Sequence, residues 1–264
     1  MVARTRLRVH DEPAFVLHQH DWSESSLVLE VFSRHHGRVV LIGKGVKRPT
    51  SQYRAVLLPM LPLRLDWSGE AEVRTLKAAQ FAGGHVMPAG DALLAGYYLN
   101  ELVLRLMTRD DPHPVLFDHY AAALAALAAG EDVAVTLRAF ELLLLRTLGW
   151  LPDLAHEGLR LLPLAADQAY RLLPEAGLQP CGAEDSGALP GGHWAVVERA
   201  LAAADPWAAL RAQPALLATV ALRVGLAALL HYHSGVRAFR TREWMRAVRR
   251  VGPLAAPSTN EPAP

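Results

Sequence analysis

The period of the apolar residues changes once along this chain, near residue 85, and no single sheet or bundle satisfies both halves. Before the change, Leu27, Leu29 and Val31 alternate with Val28, Glu30 and Phe32. Leu61, Leu63, Leu65 and Trp67 likewise alternate with Pro62, Arg64 and Asp66. That is the period of two of a pleated, half-buried strand. Five runs emerge, AFVLHQH, SLVLEVFS, GRVVLIGK, LLPMLPLRLDW and EVRTLKAAQ, parted by residues 21–24, residues 35–37, the GVKRPTSQYR segment and residues 68–69. Five short strands in this length predict a small barrel of the OB type.

After the change the spacing is helical. Leu99, Leu102, Val103 and Leu106, and then Phe117, Tyr120, Leu124 and Leu127, fall at i, i+3, i+4, i+7. A third helix rests on Leu137, Phe140, Leu144 and Leu148. Asp91, Pro114, Gly130 and Gly149 supply starts and stops. Residues 150–193 hold many Pro and Gly and predict an irregular insert with at most one short hairpin. Helices resume over 195–211 and 214–233, and Thr241 is placed to cap a last one carrying Trp244, Met245 and Val248 among arginines. The fold class is therefore α+β and multidomain: a five-stranded OB-fold barrel over 1–82, an all-helical domain over 83–252 with the insert at 150–193, and a disordered tail over 253–264.

Composition narrows the function classes. One cysteine, Cys181, excludes an intrachain disulfide framework and a cysteine-rich zinc module. The N-terminus lacks the apolar run of a signal peptide, and Arg223 interrupts the most apolar stretch, 212–230, so a soluble, membrane-free protein of a reducing compartment is expected. No dinucleotide, Walker, nucleophile-elbow or zincin motif occurs. Among the histidines, His18 and His20 would share one strand face, His231 and His233 would not share a helix face, and His156, Cys181 and His193 fall in the insert. None of these supplies four ligands at zinc spacing, so neither metal nor cofactor is expected.

Charge is the informative quantity. The net charge of +1 resolves into +4 over residues 1–80, −8 over 81–222, +6 over 223–250 and −1 in the tail. Between Glu30 and Asp66 there is no acid, while Arg34, Arg38, Lys44, Lys47, Arg48 and Arg54 supply six cations in two inter-strand segments. On one edge of a barrel they would track a phosphate backbone, with Tyr53 and Trp22 as candidate stacking aromatics. The arginine-rich last helix extends such a surface, docks on the acidic helices or binds an acidic partner peptide. A leucine-lined groove near Arg138 is a candidate seat for a short acidic, apolar-ended peptide.

The segments EPAFVLHQHDWSESSLVLEVFSRHHGRVVLIGKGVKRPTSQYRAVLLPMLPLRLDWSGEAEVRTLKAAQ, GYYLNELVLRLMTRDDPHPVLFDHY and LRAFELLLLRTLGWLPDL together resemble the RecO family of bacterial recombination mediators. The resemblance covers most of residues 12–155 and returns faintly at YRLLPEAG and HYHSGVRAFRTREWM. It implies an OB fold followed by a helical domain, and a cytoplasmic, nucleoid-associated DNA-repair protein without enzymatic turnover. Such a protein binds single- and double-stranded DNA and anneals complementary strands. It contacts the acidic C-terminal tail of single-strand-binding protein and acts with RecR to help load RecA. By resemblance the basic segment from Arg34 to Arg54 is the DNA-binding stretch and Arg138 belongs to the partner-binding segment. Some members carry a four-cysteine zinc module after the third helix; here that region offers His156 and Cys181, so no zinc is expected. Two other classes compete: an interaction scaffold whose barrel binds no nucleic acid, and a metal-assisted hydrolase built on the histidines.

Overall fold

The computed structural model describes residues 8–84 and 86–251; the tail assigned to disorder lies outside them. Five strands, β1 (Arg8–Asp21), β2 (Leu27–Ser33), β3 (Gly37–Gly43), β4 (Leu63–Ser68) and β5 (Val73–Phe81), close a barrel in the order β1-β2-β3-β5-β4. All neighbours are antiparallel except β3 and β5, which pair in parallel through Val40–Val73 to Ile42–Thr75. Inward residues from every strand, among them Val16, Leu29, Val31, Leu41, Leu65 and Trp67, fill the interior. This is the OB-type barrel that the period of two implied.

Two strands differ from their expected bounds. β1 starts at Arg8 rather than Ala14, because its first half pairs with β4 and its second with β2, with register shifts at Val9/Glu12 and Val16/His18. Bulges and Pro13 erase the alternation there. β4 starts at Leu63 rather than Leu57, since Pro59 and Pro62 lack an N–H for the ladder and Met60 takes a positive φ of 66°.

The helical part contains α1 (Asp91–Leu106), α2 (Pro114–Ala128), α3 (Val133–Thr147), α4 (Gly191–Leu201), α5 (Pro206–Arg211), α6 (Pro214–Leu217), α7 (Val220–Ser234) and α8 (Arg240–Val251). Asp132 and Thr219 cap α3 and α7 by accepting from Val135 and Leu222 N–H. α3 is buried without a break from Val135 to Leu145 and is the centre of this part. The insert is more ordered than its composition suggested: β6 (Ala169–Leu173), β7 (Gly177–Pro180) and β8 (Leu189–Pro190) form a three-stranded sheet in place of a single hairpin. The sheet lies wholly within the 150–193 insert, and the rest of the domain is helical. Strands of two to five residues are too short for periodicity to register.

Barrel and helices share one apolar core. The outward Phe15, Leu17 and Phe32, with Met60 from the loop before β4, pack on Tyr98, Leu102, Phe117 and Tyr120. Two glycines permit this approach. A Cβ on Gly96 would lie 2.2 Å from Met60 Sδ, and one on Gly37, which has φ of 66°, would lie 2.2 Å from the Asp111 carbonyl oxygen.

Candidate nucleic-acid interface

The β3–β4 connection, residues 44–62, is held by apolar anchors between its charges. Val46 and Leu57 are each 2% exposed and enter the barrel core, which leaves the intervening residues on the outside. A short helical turn, Gln52–Arg54, is capped by Ser51, whose Oγ accepts from Tyr53 N–H. The loop is tied to the β1–β2 turn: Lys47 N–H donates to Ser25 O at 3.0 Å, and its ammonium lies 3.1 Å from Asp21 and 3.3 Å from Ser23 O. Gln19, Lys47, Tyr53, Arg54 and Leu57 line a shallow cavity of about 260 Å³ between loop and barrel.

The structure divides the six cations into two groups. Lys44, Arg48 and Arg54 are exposed and make no ion pair among the described residues. Lys47 is half-buried and paired. Arg34 and Arg38 stand at the other end of β3, about 20 Å away at 3.3 Å per residue, and face the helices. Arg34 Nε and Nη2 donate to the two oxygens of Asp118 on α2 at 2.9 and 2.8 Å. The hydrogen bonds from Arg34 hold the Asp118 carboxyl below its ordinary pKa. Arg38 lies 3.2 Å from Glu30, whose other oxygen takes Arg109 at 2.6 Å; Arg109 also reaches Glu72. The expected single basic edge is therefore one solvent-facing loop and one interdomain ion-pair network.

The aromatics separate as well. Tyr53 is half-buried and its hydroxyl donates to Lys77 O at 3.0 Å, whereas Trp22 in the β1–β2 turn is 68% exposed beside Lys47. Trp22 is the better stacking surface.

Arg138 is not on the surface. It is 6% exposed on α3, with Nη1 2.8 Å from Glu141 Oε2, though not aligned as a hydrogen bond. The fully buried Glu141 also accepts from Tyr98 Oη and from Arg242 of α8, both at 2.7 Å. Burial works against the Arg242 charge, yet Glu141 and Tyr98 together outweigh it and hold the guanidinium above its ordinary pKa. Burial and then Glu141 push the Tyr98 hydroxyl well up. Among the described residues α8 thus docks on the helical body through Arg242, with Met245 packed on the apolar core. Thr241 is not the cap of α8, since it lies inside the helix and donates from Oγ1 to Glu101 of α1, which also accepts from the Arg240 and Thr241 N–H groups. Arg240 and Arg246 remain exposed.

The histidines of the insert do not converge. His156 is held 2.7 Å from Asp153, and no group of three His, Cys, Asp or Glu among the described residues is placed to hold a metal. Burial raises the Cys181 thiol pKa. His233 stacks on Trp150, and His231 faces the Val236 carbonyl. Among the described residues no helix is long and apolar enough to cross a membrane.

Comparison with known proteins covers both parts of the chain. Residues 7–85 match the family model described as "Recombination protein O N terminal", and residues 87–220 match "Recombination protein O C terminal". The chain is 54% identical over 248 residues to the DNA repair protein RecO of Variovorax paradoxus, covering 90% of this chain and 96% of that one. It is 50% identical over 240 residues to its counterpart in Polaromonas naphthalenivorans and 52% over 247 to that in Delftia acidovorans, with the same coverage.

Proposed function

Because this chain belongs to the RecO family of DNA repair proteins, we propose that it binds single- and double-stranded DNA on the 44–54 loop and anneals complementary strands. It does so in the bacterial cytoplasm at the nucleoid, with RecR and the acidic tail of single-strand-binding protein as partners and RecA loading as the outcome. The observation that carries the DNA-binding reading is the trio Lys44, Arg48 and Arg54, exposed and unpaired among the described residues, in a loop tied through Lys47 to the turn that bears the exposed Trp22.

Phosphates on these cations release condensed counterions, which drives binding without sequence preference. Two strands on one basic surface repel each other less, so pairing needs no nucleotide hydrolysis. Arg138 enters this reading only from behind the surface, by supporting the Glu141 cluster on which α8 rests.

The test is Lys44→Glu, Arg48→Glu and Arg54→Glu in one chain, with oligothymidylate binding followed by fluorescence anisotropy across a salt series. Three contacts give a log–log slope of about −2 for the parent, at about −0.7 per contact. The triple variant should lose about a hundredfold in affinity at low salt and most of that slope, with its melting temperature unchanged. Unchanged affinity refutes the surface.

A further inference from the structure

A groove of about 580 Å³ lies at the junction of barrel and helices, away from the 44–54 loop. Its floor is Leu17 and His18 of β1. Successive strand residues ordinarily point to opposite faces. Here the register shift between Val16 and His18 turns both toward the helices, so that Leu17 is buried in their core and His18 lines the groove, exposed. The bulge is fixed from the helical side: Asn100 on α1 donates Nδ2–H to the Leu17 carbonyl at 2.9 Å, and Tyr120 Oη donates to Asn100 Oδ1.

The walls combine flat apolar surface with positive charge. α1 contributes Tyr97 and Arg105, and α8 contributes Trp244, 56% exposed, and Arg240. The carboxylate in the wall, Glu101, is already occupied by the first N–H groups of α8 and lies 3.7 Å from Arg105. Along β1, His20 follows His18 with ring centroids 4.3 Å apart, and Trp22 stands at the end of the strand. Four residues at 3.3 Å rise put Trp22 about 13 Å from His18. Aromatic rings therefore run from the groove to the basic loop, beside guanidinium groups at the groove end.

We propose that this groove is a second contact for single-stranded nucleic acid, in which Trp244 and Tyr97 stack bases and Arg105 and Arg240 take phosphates, with His18 and His20 leading the strand to it from the 44–54 loop. The proposal rests on the DNA-binding reading of that loop. Alternating π-faces and cations suit a strand whose bases are unpaired, whereas a duplex hides its bases. Docking α8 through Arg242 and Glu101 sets one wall of the site.

The experiment uses the full chain and two oligothymidylates, of about 8 and about 25 nucleotides, since a single OB barrel engages about 4 to 16. Trp244→Ala with Arg240→Gln should weaken the longer oligonucleotide about tenfold and leave the shorter at parental affinity, while Trp244→Phe with Arg240 intact retains most of the long-oligonucleotide affinity. Iodouracil-substituted long oligonucleotide should crosslink to Trp244 or Tyr97. Unchanged long-oligonucleotide affinity overturns the proposal, as does equal loss for both lengths. So does a groove whose Trp244 serves only to bind an acidic peptide, seen as Trp244-dependent peptide binding with DNA affinity intact. If the loop reading itself fails, the parent binds neither length in a salt-dependent manner, which none of these outcomes resembles.

Discussion

The two ends of β3 began as one run of charge and serve opposite purposes. At the Gly37 end, each arginine has an acid brought from elsewhere in the chain: Asp118 for Arg34, and Glu30 shared by Arg38 and Arg109. At the Gly43 end, Lys44, Arg48 and Arg54 have no acid among the described residues. The first group locks barrel to helices, and the second faces solvent. A cation's availability is thus decided by tertiary neighbours as much as 84 residues distant, while its position in the sequence decides only that it is near a turn.

The widest separation between the ends is in folding stability. Glu30 is 8% exposed and answers two guanidinium groups. Glu30→Gln leaves Arg38 facing Arg109 with no carboxylate of its own and Arg109 with only the exposed Glu72, and burial already holds the Arg38 pKa below its ordinary value. The expected cost is about 2–3 kcal/mol, somewhat under that of breaking a fully buried pair, read as a lowered denaturant midpoint. Salt-dependent DNA binding by the folded fraction should be intact. A change confined to DNA affinity would erase the distinction between the ends.

The sequence revealed the loop but not this division. β2 and β3 were legible because each alternates cleanly and the Gly37 turn separates them; helix starts at Asp91 and Pro114 and stops at Gly130 and Gly149 were legible for equally local reasons. The first half of β1 was not, because Asp11, at positive φ, and Pro13 sit in a strand that changes partners midway. The expected helix over 195–211 breaks into α4 and α5 at Asp205, which caps α5 by accepting from Ala208 N–H. In the site, Trp22 was readable as an aromatic in a turn, but the burial of Tyr53, Arg38 and Arg138 was not. Nor was the bulge that turns His18 outward, since bulges leave no compositional mark when both neighbours are apolar or aromatic.

An acid-range titration probes the seam more gently. Asp118 has its pKa lowered in the fold, chiefly by the Arg34 hydrogen bonds, and Arg34 stays charged throughout. A depressed carboxylate contributes stability that is complete above its unfolded value of about 3.9 and is lost as pH falls through the folded pKa. Asp118→Asn should therefore cost a few tenths to about 1 kcal/mol at pH 7, a figure kept small because the pair is partly exposed and screened. The gap to the parent should hold down to roughly pH 5 and close below roughly pH 4. A gap that persists in acid would assign the effect to something other than the ion pair. DNA affinity should not respond.

The same change at the other end should do the reverse. Asp21 is exposed and holds Lys47 at 3.1 Å, so a phosphate must compete with it for that ammonium. Asp21→Asn removes the competitor and one negative charge from the rim of the loop. Single-strand affinity at low salt should rise about two- to threefold, and the log–log salt slope should steepen by up to about 0.7 as Lys47 becomes one more contact. Stability should be nearly unchanged, because an exposed lysine–aspartate pair contributes little and Lys47 keeps its bond to Ser23 O. Freeing Arg34 by Asp118→Asn and freeing Lys47 by Asp21→Asn each release one cation on the same barrel. If both raised DNA affinity equally, the basic surface would wrap around β3 and not end at the loop; if only the second does, the seam and the interface are separate.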